Sequence, residues 1–574
     1  MRWGNLICIP ALSFCLTTPG QPAPAQIQRP RLVIGIVVDQ MRWDFLYRFY
    51  DQYGTGGFRR LMEEGYSCNN VRINYLPSVT ATGHTCIFTG SVPALTGITG
   101  DGWIDQRTGL RQYCVSDTTV RPVGGSLEAG EMSPAHLLVS TVTDELRLAT
   151  NNRSRVVGIS LKDRAAILPA GHMANAAFWF DDSTGHFMTS TYYMPSLPQW
   201  VDHFNSQDLG SKLVSGEWRL LLPARDYGQS TPDRVSWEGL FPGEKAPVFP
   251  HRVSALYQRD RGTIRTTPFG NTLTLAFARA AIAGYGLGRG FSTDFLTINC
   301  ASTDYVGHQF GPNSMEAEDT YLRLDRDLAS FFTWLDAKIG RGNYLVLLTA
   351  DHGVAHTLGF MRSEKLPSGS FPPRKVAAGL NQALRERFGV DHLVRRIMNC
   401  QVNLDLEGIS GHGLHQDSVV SAALDYLDTV PGVARALDLS RISSADLPEP
   451  VRTLVVNGYY PPRSGQIQLI LQPGWLEGFA RTGTMHGAWN PYDTHVPLLF
   501  MGWHIRHGSD FLPYSMTDIA PTVAALLHIQ PPNGCIGNPI EAVVAPEVAL
   551  PPGKVGFGEH STQERRIKAS GGFP

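Results

Sequence analysis

Residues 31–38 read Arg-Leu-Val-Ile-Gly-Ile-Val-Val and run straight into Asp39. No polar residue interrupts the run after Arg31, so it does not suit a strand with one wet face. It suits a strand buried on both faces, as in a parallel sheet covered by helices. The pattern recurs. Val156–Leu161 leads into Lys162, Phe295–Cys300 into Asp304, and Asn343–Thr349 into Asp351 and His352. Helical patterns lie between these runs, at residues 57–65, Phe269–Ala283, Met315–Ile339 and Thr517–Leu527, and a further strand at His495–Gly502. The alternation predicts a doubly wound α/β fold, a mostly parallel sheet flanked by helices. Such folds bind ligands outside the carboxyl ends of their strands. Here each strand end carries a charged or ligating residue.

Length alone, 574 residues, suggests three or four domains. The candidate ligands, however, run from Asp39 to His486. If they converge, residues 26–574 form a single catalytic domain, with insertions near 185–265 and 360–480. A net charge of -2 leaves no basic footprint for nucleic acid. Residues 1–25 read as a secretory signal: Arg2, the apolar Leu6–Leu16, and Ala23-Pro24-Ala25 before Gln26. A lipoprotein anchor at Cys15 is the alternative, disfavoured by the bulky Phe14. No later stretch is apolar enough to span a membrane. The reading is an exported, periplasmic or extracellular protein, with a monomer favoured. Cys68, Cys86, Cys114, Cys300, Cys400 and Cys535 remain after the signal; an exported chain permits disulfides, and sequence does not choose among pairings. His412 and His415 lie in a Gly-rich loop and read as surface residues.

Thr80 follows Pro77-Ser78-Val79 and opens a helical stretch, Ala81–Phe88. Alone it reads as a helix cap. A helix N-terminus also binds anions, and a threonine becomes a nucleophile when a base or metal activates it. Asp39, Asp304, His308, Asp351, His352 and His486 supply three carboxylates and three imidazoles. Asp304 and His308 are four apart, on one face of a helical turn. Oxygen and nitrogen ligands without sulfur suit zinc or manganese, and seven groups including Thr80 suffice for two ions. Two metals about 3.5–4 Å apart clamp the attacking and leaving oxygens of a phosphoryl or sulfuryl transfer. Lys162 and Arg164, two apart in extended chain, would project together.

These motifs, with Pro268-Phe269-Gly270-Asn271-Thr272, Gly483-Thr484-Met485-His486-Gly487 and Tyr492-Asp493-Thr494-His495-Val496-Pro497, resemble one family in order and spacing. It is the alkaline phosphatase superfamily, and within it the secreted PafA-type (phosphate-irrepressible) enzymes with a threonine nucleophile. The resemblance covers most of the mature chain. It implies two zinc ions, one held by Asp304, His308 and His486, the other by Asp39, Asp351, His352 and Thr80. It implies small phosphorylated substrates, a phosphothreonine at Thr80, and a phosphate clamp of Lys162 and Arg164.

Asp101 departs from the pattern. Monoesterases of the family usually carry an asparagine there, donating to a phosphoryl oxygen, whereas an ionised aspartate only accepts. Asp101 is either protonated, paired with Lys162 or Arg164, or turned to another substrate. If it faces the phosphate, Asp101→Asn would raise monoester kcat/KM by roughly tenfold to a hundredfold. Two other readings compete: a phosphodiesterase or nucleotide pyrophosphatase of the same superfamily, and a catalytically weak binder of phosphorylated ligands.

Overall fold

The structure is a computed structural model describing residues 28–478 and 481–544. The signal reading of residues 1–25, the cleavage before Gln26 and the alternative at Cys15 lie outside the described residues. Ten strands form the main sheet: β1 (Leu32–Val38), β2 (Tyr66–Cys68), β3 (Pro122–Val123), β4 (Val156–Ile159), β5 (Ala176–Asp181), β6 (His186–Ser190), β7 (Asp294–Cys300), β8 (Tyr344–Thr349), β9 (Leu498–Gly502) and β10 (Gly508–Asp510). Their order is β10-β2-β9-β8-β1-β7-β4-β5-β6-β3. The central five, β8-β1-β7-β4-β5, are mutually parallel. They are the apolar runs of the sequence, and every residue of β1, β7 and β8 is buried. Val38 pairs with Cys300 and Val37 with Thr349, so the residues after β1, β7 and β8 emerge at one edge.

Strand β9 runs antiparallel to β8, with Leu498 opposite Thr349. Its amino end therefore lies at the edge where the parallel strands end, and the chain carrying His486 arrives there. The single strand read at His495–Gly502 is broken. His495–Val496 pairs with Val71–Arg72 in another sheet, and Leu498 begins β9. Pro497 between them has no N–H for a ladder.

Helices cover both faces: α1 (Thr80–Thr89), α2 (Asp163–Ala170), α3 (Phe269–Tyr285), α4 (Ser302–Phe310) and α5 (Met315–Leu335). Helix α5 is shorter than its pattern and ends in a wider turn at Asp336–Gly340. Residues 185–265 do not build a core of their own. Val201, Trp218, Tyr227, Phe241 and Tyr257 are buried in the core of the main sheet. Residues 360–480 differ. Val394–Met398, Gln401–Leu404, Ile467–Leu471 and Val433–Asp438 form a separate antiparallel sheet. Helices Pro373–Phe388 and Gln416–Leu427 close a second apolar cluster around Leu380, Val402, Val419 and Ile467. His412 and His415 are exposed there. All six cysteines from Cys68 to Cys535 are unpaired thiols.

Candidate metal centre and nucleophile

Two clusters form at the carboxyl edge of the sheet. Asp39, Asp351 and His352 present ligand atoms within 4.8 Å of one another, as do Asp304, His308 and His486. Asp39 follows β1 directly, and Asp351 and His352 follow β8 after Ala350. Asp304 and His308 are one turn apart on α4, which begins just after β7.

The donor atoms are prepared for a cation. His308 Nδ1 lies 2.9 Å from Thr484 O, His352 Nδ1 2.9 Å from Gly353 O, and His486 Nδ1 2.9 Å from Ser78 O. A carbonyl only accepts, so in the neutral rings each Nδ1 carries the proton and each Nε2 keeps its lone pair. Burial lowers the pKa of His352 and His486, with His352 and His308 adding to the effect at His486. Both rings are therefore neutral. Asp39 and Asp351 are each held by one oxygen. Asp39 Oδ2 accepts from Lys162 Nζ at 2.8 Å and Asn299 Nδ2 at 3.2 Å. Asp351 Oδ1 accepts the N–H groups of Gln40 and His352, at 3.2 and 3.1 Å. The other oxygens, Asp39 Oδ1 and Asp351 Oδ2, are buried without a hydrogen-bond partner. Orphaned carboxylate oxygens in a dry interior are costly unless a cation faces them. The residues present fit a pair of metal ions, and the N/O donor set fits zinc.

Thr80 is the first residue of α1, and Val79 occupies the cap position. Thr82 Oγ1 accepts from Val79 N at 3.3 Å, so the hydroxyl of Thr80 is not spent on capping. Thr80 Oγ1 stands 3.5 Å from His352 Nε2, 3.3 Å from Lys162 Nζ and 3.5 Å from Arg164 Nη2. Lys162 and Arg164 do not lie in extended chain together. Strand β4 stops at Ile159, Ser160 Oγ accepts from Lys162 N at 2.8 Å, and α2 starts at Asp163, placing Arg164 in its first turn. Both cations still reach Thr80. Lys162 Nζ sits between the clusters, 2.8 Å from Asp39 Oδ2 and 2.7 Å from Asp304 Oδ2. A cavity of about 420 Å³ opens beside Lys162 and Arg164, lined also by Tyr113, Arg265 and Tyr305.

Asp101 turns to Arg164 and not to Lys162. Its Oδ2 pairs with Arg164 Nη2 at 2.9 Å and its Oδ1 accepts the Ala81 N–H at 2.9 Å. It is thus a counter-charge to Arg164 and a cap for α1 at once. Three supporting residues carry no role that the sequence alone assigns. Asn299 steadies Asp39 and is itself held by Ser160 Oγ at 2.7 Å. His84 Nδ1 lies 3.0 Å from Thr80 O and 3.3 Å from Asp351 Oδ2. Asp493 Oδ2 accepts from Ala488 N at 2.8 Å, two residues after His486, and its carbonyl accepts from Gly353 N at 2.7 Å. His84 was legible in principle, since it follows Thr80 by one helical turn. Asn299 and Asp493 gain meaning only from the fold.

A doubly wound sheet with two N/O metal clusters around a helix-terminal threonine defines an alkaline phosphatase-like hydrolase. Residues 33–489 match the family model for type I phosphodiesterase / nucleotide pyrophosphatase, and the chain belongs to that family, within the alkaline phosphatase superfamily. It is 53% identical over 520 residues to alkaline phosphatase PafA of Elizabethkingia meningoseptica, covering 90% of this chain and 95% of the relative. It is 48% identical to alkaline phosphatase PhoV of Synechococcus elongatus, covering 93% and 98%. The crystal structure of PafA superposes with a TM-score of 0.89 at 53% identity, over 90% of this chain and 99% of that one. The protein is an enzyme of the alkaline phosphatase kind.

Proposed function

We propose that the protein is an exported phosphate monoesterase that holds two zinc ions and works through a phosphothreonine at Thr80. The observation that carries this reading is the uncapped Thr80 hydroxyl, within 3.5 Å of His352 Nε2, Lys162 Nζ and Arg164 Nη2. Asp304, His308 and His486 would hold one zinc; Asp39, Asp351 and His352, with Thr80, the other. When bound, zinc supplies the Lewis acidity that lowers the pKa of the Thr80 hydroxyl and neutralises the departing alkoxide. The chain does the rest. The N-terminus of α1 directs its dipole at the transferred phosphoryl group. Lys162 and Arg164 hold the non-bridging oxygens. Thr80 Oγ1 attacks phosphorus in line, the alcohol leaves, and water then cleaves the ester on Thr80 to release inorganic phosphate.

In this reading residues 26–574 are one catalytic domain, residues 1–25 direct export, and the substrates are small phosphorylated molecules. Rapid quench with radiolabelled p-nitrophenyl phosphate would trap label on Thr80, and Thr80→Ala would keep its metal and lose nearly all turnover. Full activity in the Ala variant would exclude the mechanism.

The pairing of Asp101 with Arg164 favours a second reading. A neutralised Arg164 serves a monoanionic diester better than a dianionic monoester, in keeping with the phosphodiesterase name of the matched family. The ratio of turnover on p-nitrophenyl phosphate to that on bis-p-nitrophenyl phosphate decides between them.

A further inference from the structure

Gln40 follows the candidate ligand Asp39 and, among the described residues, is the one next to it with a strained backbone. Its φ is +66°, the left-handed region that favours glycine. Yet it carries a long polar side chain that is 1% exposed. The strain has a visible return. The Gln40 N–H donates to Asp351 Oδ1 at 3.2 Å, and its Nε2 donates to Asp304 Oδ1 at 2.6 Å. The amide orientation follows from the partner, since an oxygen in place of Nε2 would face a carboxylate. Asp304 Oδ1 is the oxygen turned toward His308 Nε2, 3.1 Å away. One residue therefore reaches a carboxylate of each cluster. Lys162 also bridges them, but with a charge, through Asp39 and Asp304. Helix α4 makes room for the arm. A Cβ at Gly307, between Asp304 and His308, would lie 1.9 Å from Gln40 Oε1.

We propose that Gln40 is a positioning residue that sets Asp304 and Asp351 in register and so fixes the spacing of the two metal sites. The inference rests on the two-metal reading above. The Nε2–H on Asp304 Oδ1 pins that carboxylate while leaving lone-pair density toward His308 and His486. The backbone N–H does the same for Asp351 through its other oxygen. Left-handed backbone at residue 40 is what turns both donors inward.

Two variants separate positioning from folding. Gln40→Gly keeps the left-handed backbone and the N–H to Asp351 and removes only the arm to Asp304. Gly307→Ala leaves residue 40 intact and displaces the tip of its side chain. The readout is zinc retention against a graded chelator, by elemental analysis, together with the thermal midpoint of the metal-free protein. Both variants are expected to lose one of two zincs at about 10–100-fold lower chelator strength than the wild type, with the metal-free midpoint of Gln40→Gly unchanged. Wild-type retention in Gln40→Gly overturns the proposal, as does a matching fall in its metal-free midpoint, which would mark Gln40 as a packing residue. A wild-type protein that holds fewer than two zincs overturns the two-metal reading itself. The first result leaves that reading standing, so the two failures are distinct.

Discussion

The Asp101 carboxylate meets the Arg164 guanidinium at 2.9 Å, on the side of the site next to Thr80. A phosphate entering between Lys162 and Arg164 would share Arg164 with that carboxylate. The Asp101 side chain is 38% exposed, so water screens its charge. Pairs of this kind are worth about 1 kcal/mol at most, roughly a factor of five. Asp101→Asn keeps an acceptor for the Ala81 N–H and removes the charge. It should change kcat/KM by less than about fivefold, in the same direction for p-nitrophenyl phosphate and bis-p-nitrophenyl phosphate. A tenfold or larger gain confined to the monoester would mean that Asp101 repels the substrate directly.

Lys162 is buried between Asp39 and Asp304. Removing one partner of a buried ion pair costs about 3–5 kcal/mol. Lys162→Met should therefore destabilise the metal-free protein strongly and the zinc-loaded protein much less, because bound cations take over the counter-charge. Thermal unfolding with and without chelator checks this. Equal losses in the two states would show that Lys162 supports the fold and not the carboxylates.

Gly83 lies one turn after Thr80, where a Cβ would stand 2.3 Å from Asp351 O and 2.6 Å from Asp351 Cβ. In an exposed helix, alanine would improve on glycine by about 1 kcal/mol. Here the methyl would wedge α1 off the strand end that carries Asp351. Gly83→Ala should lower stability by about 1–3 kcal/mol and cut kcat by tenfold or more. A raised urea midpoint would show that this contact yields without cost.

Burial pushes the His251 imidazole down, but Glu244 and Glu316, each 3.0 Å from a ring nitrogen, lift it to about 9. Burial and the nearby Glu316 lift Glu238 to about 10. A group with a raised folded-state pKa stabilises fully below its unfolded value and loses that contribution as pH rises through the folded value. His251 therefore weakens the packing of residues 185–265 on α5 as pH climbs from about 6.5 to about 9, and Glu238 does so from about 4.5 to about 10. The His251 share is on the order of 3 kcal/mol. Urea titrations at several pH values should show the decline, and His251→Gln should flatten it. A wild-type stability constant across this range would contradict the assignment.

The parallel core was legible because β1, β7 and β8 are apolar throughout, which only a doubly covered strand tolerates. The candidate ligand residues stood out because a carboxylate or imidazole at the end of such a strand has no packing reason to be there. The angle of approach was not. Lys162 and Arg164 read as extended chain, since nothing local announces that α2 starts at Asp163. Taken alone, Thr80 reads as a cap because the competing acceptor, Thr82, is one of several hydroxyls nearby. Gln40 left no mark because its strain and both its partners are properties of the assembled edge. Residues 185–265 lack periodicity, and their burial depends on anchors such as Trp218 Nε1 donating to Asp319 Oδ2 at 2.7 Å, 101 positions away.

His486 is oriented by a carbonyl 408 positions earlier in the chain, that of Ser78. Between His352 and His486 the chain makes an entire second sheet before it returns. Contacts of such separation are costly to close and form slowly, and no shorter piece of the polypeptide holds a complete set of donors. A chain delivered piecemeal thus stays chemically silent until His486 arrives. Turnover is a report that the chain has folded as far as His486, and truncation anywhere before His486 should leave no partial activity to measure.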